Sequence, residues 1–274
     1  MASAAEQLAA NLNFGSFAKA KELQKRLLFT FGALIIYRLG TYIPLPGIDT
    51  NVIAEVFEQQ ADGILGTFIM FAGGALGRMT IFALNIMPYI SAAIIIQLMT
   101  SVVPSLAQMK KDGEAGRKKI NQYTRYGTVF LAAIQAYGIA AGLEGFQGQS
   151  GAAVLDPGMF FRLTTVVTLT GGTIFLMWLG EQITARGVGN GISLIIFAGI
   201  VAELPRALIN TLELGRTGVI SGGIIAVLMV MALAVIAFIV FIERSQRRIV
   251  VQYPKRQVGR RMFGGESSHL PLKL

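Results

Sequence analysis

The chain has 274 residues, of which 53% are hydrophobic and only 14% charged, where an ordinary soluble domain carries about 25% charged; its mean hydropathy is +0.60. These values argue against a soluble globular protein and, with 32 glycines, a residue favoured where membrane helices pack closely, they predict a polytopic membrane protein. The absence of cysteine and a single histidine, His269, remove disulfides, thiolate metal sites, Cys nucleophiles and His-cluster metal sites, so neither a metal nor a cofactor is expected.

In chain order, a polar stretch over 1–26 precedes a first apolar run over 27–43 that has no small-residue cleavage site behind it, so it reads as a retained span and not a removable signal. Further runs cover 80–103, 126–143, 159–179, 192–209 and 219–242, each long enough to cross a hydrocarbon core of roughly 30 Å. The expected fold is an all-α membrane bundle of six spans. Its divisions are a cytoplasmic segment 1–26, a body 27–209 holding spans one to five, the sixth span within 210–242 and a basic tail 243–274. The fifth run carries Glu203, Pro205 and Arg206 near its expected end.

Formal charge is +9, and its placement orients the spans. All of the 24 basic residues except Arg38, Arg78, Arg162, Arg206 and Arg216 fall before the first run, between the second and third, between the fourth and fifth, or after the sixth. The stretch 44–66 has none and carries Asp49, Glu55, Glu58 and Asp62. Basic residues collect on cytoplasmic connections, so both termini are placed in the cytoplasm.

Residues 66–103 do not fit ordinary topology, because as one helix they would extend about 57 Å, nearly twice the core. The break is placed at Gly73, Gly74, Gly77 and Arg78, leaving 66–77 as an apolar piece too short to cross and 80–103 as the span. A short piece at membrane depth exposes helix-end polar groups that lipid cannot satisfy, so it is enclosed by protein or lines a wet cavity. An interfacial helix on the outer face is the alternative; Phe68, Met70 and Phe71 with few flanking charges lean toward enclosure.

No carboxylate is expected in the central part of a span; the intramembrane polar groups are amides such as Asn85, Gln97 and Gln135. A coupled transporter usually needs a carboxylate or His near the midplane, and intramembrane proteolysis needs a Ser/His or Asp pair or a zinc motif. No catalytic residue is therefore expected. Half of a secondary transporter, or a small-solute channel with a re-entrant segment, stays open as the alternative. The glycine-dense connection 180–191 lacks the Lys-Ser/Thr ending and βαβ setting of a phosphate loop, and reads as a tight turn using residues with positive φ.

Several long strings carry a resemblance. Pro-Leu-Pro-Gly-Ile-Asp at 44–49, Met-Phe-Ala-Gly-Gly-Ala-Leu at 70–76, Ile-Met-Pro-Tyr-Ile-Ser at 86–91 and Gly-Arg-Lys-Lys-Ile at 116–120 with Tyr-Thr-Arg-Tyr-Gly at 123–127 resemble bacterial SecY. So do Met-Trp-Leu-Gly-Glu-Gln-Ile-Thr at 177–184, Gly-Asn-Gly-Ile-Ser at 189–193, Gln-Arg-Arg-Ile at 246–249, Lys-Arg-Gln at 255–257 and Gly-Arg-Arg at 259–261. Over nearly the whole chain they stand in matching order.

That resemblance implies the pore subunit of the general protein translocase of the bacterial inner membrane, a passive conduit for signal-sequence-bearing polypeptides. It implies a plug over 64–78, with Gly66, Phe68, Met70, Phe71, Gly73, Gly74, Leu76 and Arg78. It also implies an apolar pore ring to which this chain gives Ile86, Ile90, Ile192 and Ile196. Flexible apolar side chains dewet such a constriction against ions yet part around an extended polypeptide. The implied partners are SecE, SecG, the SecA motor ATPase and the ribosome, the last two docking on the basic tail at Arg256, Arg260 and Arg261. Clustered Arg suits a phosphate surface, although the same tail also reads as a topogenic loop lying on anionic lipid. SecY-like chains have ten spans in two pseudosymmetric halves, so half of a lateral gate is expected here.

Overall fold

In the computed structural model, the described residues are 21–59, 75, 77–148, 151–218, 221–252, 256–258, 261–263 and 267–273. They form helices α1 (Lys21–Gly40), α2 (Thr50–Gln59), α3 (Met87–Val102), α4 (Pro104–Lys111), α5 (Glu114–Glu144), α6 (Met159–Arg186), α7 (Gly191–Arg216) and α8 (Gly222–Arg244). The strands are short: β1 (Gln147–Gly148), β2 (Gly151–Ala152), β3 (Gln246–Gln252), β4 (Arg256–Val258), β5 (Arg261–Phe263) and β6 (Ser267–Lys273).

All six apolar runs are helical over most of their length, with different bounds. Four helices, α5 to α8, are each long and apolar enough to cross a membrane, and a fifth span results if α3 and α4, bent by 98° at Val103, count as one. The third and fourth runs extend beyond their expected ends, α5 starting at Glu114 and α6 reaching Arg186. The acidic connection after the first run contains α2, and the connection between the second and third runs is largely helical.

Two bounds are corrections with a physical cause. The second run is not helical from residue 80: residues 81–86 are turns, and α3 starts only at Met87. Pro88 sits in its first turn, where a missing N–H costs nothing but continuation backward is blocked. The preceding turns bond elsewhere, Ile81 N–H donating to the Ile43 carbonyl at 3.1 Å and Leu45 N–H to the Met79 carbonyl at 2.9 Å. The fifth run does not end at 209. Helix α7 continues through Pro205 to Arg216, which places Glu203 midway along a helix, where no carboxylate was expected.

The chain divides into two compact units at Pro205/Arg206. In the first, α5 and α6 form the central pair. Thr124, Thr128, Ala132, Ala136 and Ala140 are all buried at four-residue spacing on α5, a stripe of small side chains that lets two backbones approach. Helix α6 answers with Thr165, Leu169, Gly172, Thr173 and Leu176. A Cβ on Gly172 would run into the Ile81 carbonyl, so the turns before α3 rest directly on the α6 backbone.

Ion pairs pin the register of α5 and α6 at both ends. Arg125 gives Glu181 two bonds of 2.8 Å, and at the opposite end Arg162 donates to Glu144, its Nε at 3.0 Å. Glu144 also accepts from Gly158 N–H at 3.1 Å. One buried cluster, with Leu45, Ile53, Leu84, Leu143, Val154, Phe161 and Leu169, lies where α5 ends and α6 begins. A second gathers Ala33, Tyr37, Phe82, Ile86, Leu176, Leu179, Ile183 and Ile195.

In the second unit, α8 buries none of its residues. The tail is not a plain loop: β3 pairs antiparallel with β6 from Gln246↔Lys273 to Gln252↔Ser267, and β4 pairs with β5 inside that ladder.

Candidate functional site

The site is built where α3 and α7 begin. Asn85 has φ 48°, a left-handed conformation that Asn tolerates better than most residues, and its Oδ1 accepts the Ile86 N–H at 2.9 Å. Ile86 is the N-cap of α3 and is 1% exposed. Its carbonyl accepts from Ile90 N–H at 3.1 Å, so these two isoleucines stand one turn apart.

Helix α7 starts on a tight connection from α6. Gly189 has φ 77°, as expected for a positive-φ turn, while Asn190 Oδ1 accepts from the N–H groups of Ile192 at 3.1 Å and Ser193 at 3.4 Å. That is an N-cap, and it satisfies donors that a helix start leaves open. Gly191 N–H donates to Thr184 Oγ1 at 2.9 Å, and a Cβ on Gly191 would strike the Gly180 carbonyl. Thr30 Oγ1 accepts from Val188 N–H at 3.2 Å, tying the connection to α1.

These starts bring Ile86, Ile90 and Ile192 to one cluster, with Ile90 and Ile192 half-buried against it. Ile196 is half-buried and outside that cluster; the α7 residue at its centre is Ile195. An aromatic column runs past the same place: Tyr37, Phe82, Phe175 and Trp178 follow one another with ring centroids 6.2, 5.9 and 5.9 Å apart. Beside Phe82 and Phe175, a cavity of about 430 Å³ opens between α1 and α6, lined almost wholly by apolar atoms.

Of the expected plug residues, Arg78 alone is described. Its Nη2 lies 3.5 Å from Glu203 Oε1, and its guanidinium sits over the Tyr42 ring at 4.6 Å. Gly66, Phe68, Met70, Phe71, Gly73, Gly74 and Leu76 lie outside the described residues. In the tail, Arg256 opens β4 opposite Phe263 and Arg261 opens β5 opposite Val258, while Arg260 lies outside the described residues. Among the described residues no group of His, Asp and Glu could hold a metal ion.

The sequence does not show Glu203 as a partner, because it stands near the expected end of the fifth run, whereas α7 continues to Arg216. Nor does the sequence show the Arg125–Glu181 and Arg162–Glu144 pairs, although Arg125 and Glu181 both stand in strings that carry the resemblance.

The sequence model of the SecY family matches residues 80–274. The protein translocase subunit SecY of Buchnera aphidicola subsp. Acyrthosiphon kondoi is 59% identical over 253 residues, which cover 92% of this chain and 71% of that protein. The protein translocase subunit SecY of Escherichia coli (strain K12) is 58% identical over 253 residues, covering 92% of this chain and 57% of its own length, so the chain spans little more than half of that relative. A solved structure described as a protein conducting channel superposes with a TM-score of 0.63 at 19% identity, over 92% of this chain and 53% of that one.

Proposed function

Because the chain belongs to the SecY family, we propose that it supplies the amino-terminal half of a protein-conducting channel of the bacterial inner membrane, one that passes secretory and membrane polypeptides without catalysing a reaction. The observation that carries this reading is the meeting of Ile86 and Ile90 with Ile192. Two separate helix starts, each fixed by an Asn side chain, bring apolar side chains from distant parts of the chain to one place. With Ile196, these give four side chains of a dewetting ring; the remaining two come from a second set of helices. All six helical runs cross the membrane in this reading, with both termini in the cytoplasm, where most of the basic residues lie.

Residues 64–78 act as the plug. Deleting 64–76 in the complete channel is expected to raise ion leak or loosen signal-sequence selection, and unchanged conductance and selection would contradict that role. SecE and SecG complete the channel, anionic lipid surrounds its basic connections, and the tail docks SecA or the ribosome through Arg256, Arg260 and Arg261. Replacing Arg260 and Arg261 by Glu is expected to impair that docking while insertion stays near normal, because charge reversal removes contacts to phosphate or acidic groups. Normal docking by the double variant would leave these arginines a topogenic role alone.

Co-expression tests the half-channel directly. The 274-residue chain alone is expected to insert without translocating protein, and a second chain carrying the remaining spans is expected to restore SecA-dependent translocation, since separately inserted helices can dock. Translocation by the purified chain alone would overturn the reading.

A further inference from the structure

Glu203 stands midway along α7, about 18 Å along the axis from Gly191 at 1.5 Å per residue. With Gly191 at the membrane rim, that depth falls within a hydrocarbon core of roughly 30 Å. A carboxylate there is costly, and such residues face a bundle interior or wet cavity and pair with another charge. Glu203 pairs with Arg78 at 3.5 Å, the two side chains being 23% and 36% exposed. Arg78 is held on its other side by the Tyr42 ring at 4.6 Å, and the Tyr42 hydroxyl accepts from Arg38 Nη2 at 3.3 Å. The pair therefore joins α7 to the chain that leads into α3, with the exit of α1 as a backstop.

What the pair joins gives it a purpose beyond holding helices together. Arg78 stands near the start of the described segment 77–86 that ends at Ile86, and Glu203 belongs to the helix whose first turns carry Ile192 and Ile196. We infer that Arg78–Glu203 is a strap between the two elements that carry this half's ring isoleucines, and that it sets the width of the constriction in the resting channel. The inference rests on the channel reading proposed above. Breaking one side leaves the other charge without its partner at depth, the costly way to lose such a pair, and lets the turns before α3 drift from α7.

The test uses the complete channel, with the full-length subunit carrying this sequence, reconstituted in vesicles; resting ion leak is measured without substrate, and translocation with it. Glu203→Gln and Arg78→Gln are each expected to raise resting leak about tenfold, a population change that one to two kcal/mol produces. The exchange Arg78→Glu with Glu203→Arg is expected to bring leak back toward the unsubstituted value. Arg125→Gln, which breaks an ion pair elsewhere on the bundle, is expected to leave leak unchanged. Wild-type leak in both single variants, or an equal rise in Arg125→Gln, would overturn the strap. Should a single variant fail to accumulate, accumulation becomes the readout, and failure of the exchange to restore it would overturn the strap equally. If the unsubstituted channel translocates nothing, the channel reading itself fails; if it translocates and only the leak pattern is absent, the strap alone fails.

Discussion

Helices α6 and α8 look alike as apolar runs, yet they meet their surroundings in opposite ways. Helix α6 buries 44% of its most apolar window, whereas α8, the more apolar of the two, buries none. The difference lies in threonines and mid-helix glycines. Helix α6 presents Thr165, Gly172, Thr173 and Gly180 among its buried positions, which allow backbone approach and internal hydrogen bonds such as Thr173 Oγ1 to the Leu169 carbonyl at 3.0 Å. Helix α8 presents a nearly unbroken aliphatic surface, suited to lipid tails, which are as apolar as Leu. In a membrane, hydropathy finds a span and composition within it finds the packed face.

That contrast can be broken by substitution. Gly172→Leu places a side chain where the Ile81 carbonyl rests, and is expected to destabilise the first unit by about 3 kcal/mol, read as lowered thermal stability in detergent; an unchanged melting temperature would mean that the turns before α3 do not rest on α6. Ala136→Leu, at a position with no exposure, is expected to cost about 2 kcal/mol by forcing α5 off its partners. Asn190→Ala removes the cap of α7 and is expected to cost about 1 kcal/mol, less if the Gly191 bond to Thr184 holds the start unaided. On α8, Val235→Ala is expected to change stability by less than about 0.5 kcal/mol. An effect there as large as that of Ala136→Leu would show that α8 also has a packed face.

Four of the six expected spans, and a fifth if α3 and α4 count as one, were legible because apolar length is a direct consequence of bilayer thickness. The positive-φ turn at Gly189 was legible from glycine spacing. Helix bounds were not, and proline accounts for one of the errors. Pro88 starts α3 later than the apolar run suggests, while α7 holds Pro205 inside it and runs on past 209 to Arg216, as membrane helices tolerate an interior proline. The tail hairpin was hidden for another reason: its strands are seven residues of basic and apolar character in a stretch whose charge already had a topological explanation. The four isoleucines proposed for the ring could be named only through the family strings. By spacing alone Ile192 and Ile195 look as equivalent as Ile192 and Ile196, and the buried cluster takes Ile195.

The central claim is that Ile86, Ile90, Ile192 and Ile196 face a passing polypeptide. A photo-crosslinking residue placed at each of them in turn, and at Phe31 on the exposed surface of α1 as a control, measures that directly when a secretory chain is stalled in the assembled channel. Crosslinks to the stalled chain from the four isoleucine positions and none from Phe31 are the predicted result; crosslinks from Phe31 with none from the isoleucine positions would contradict it.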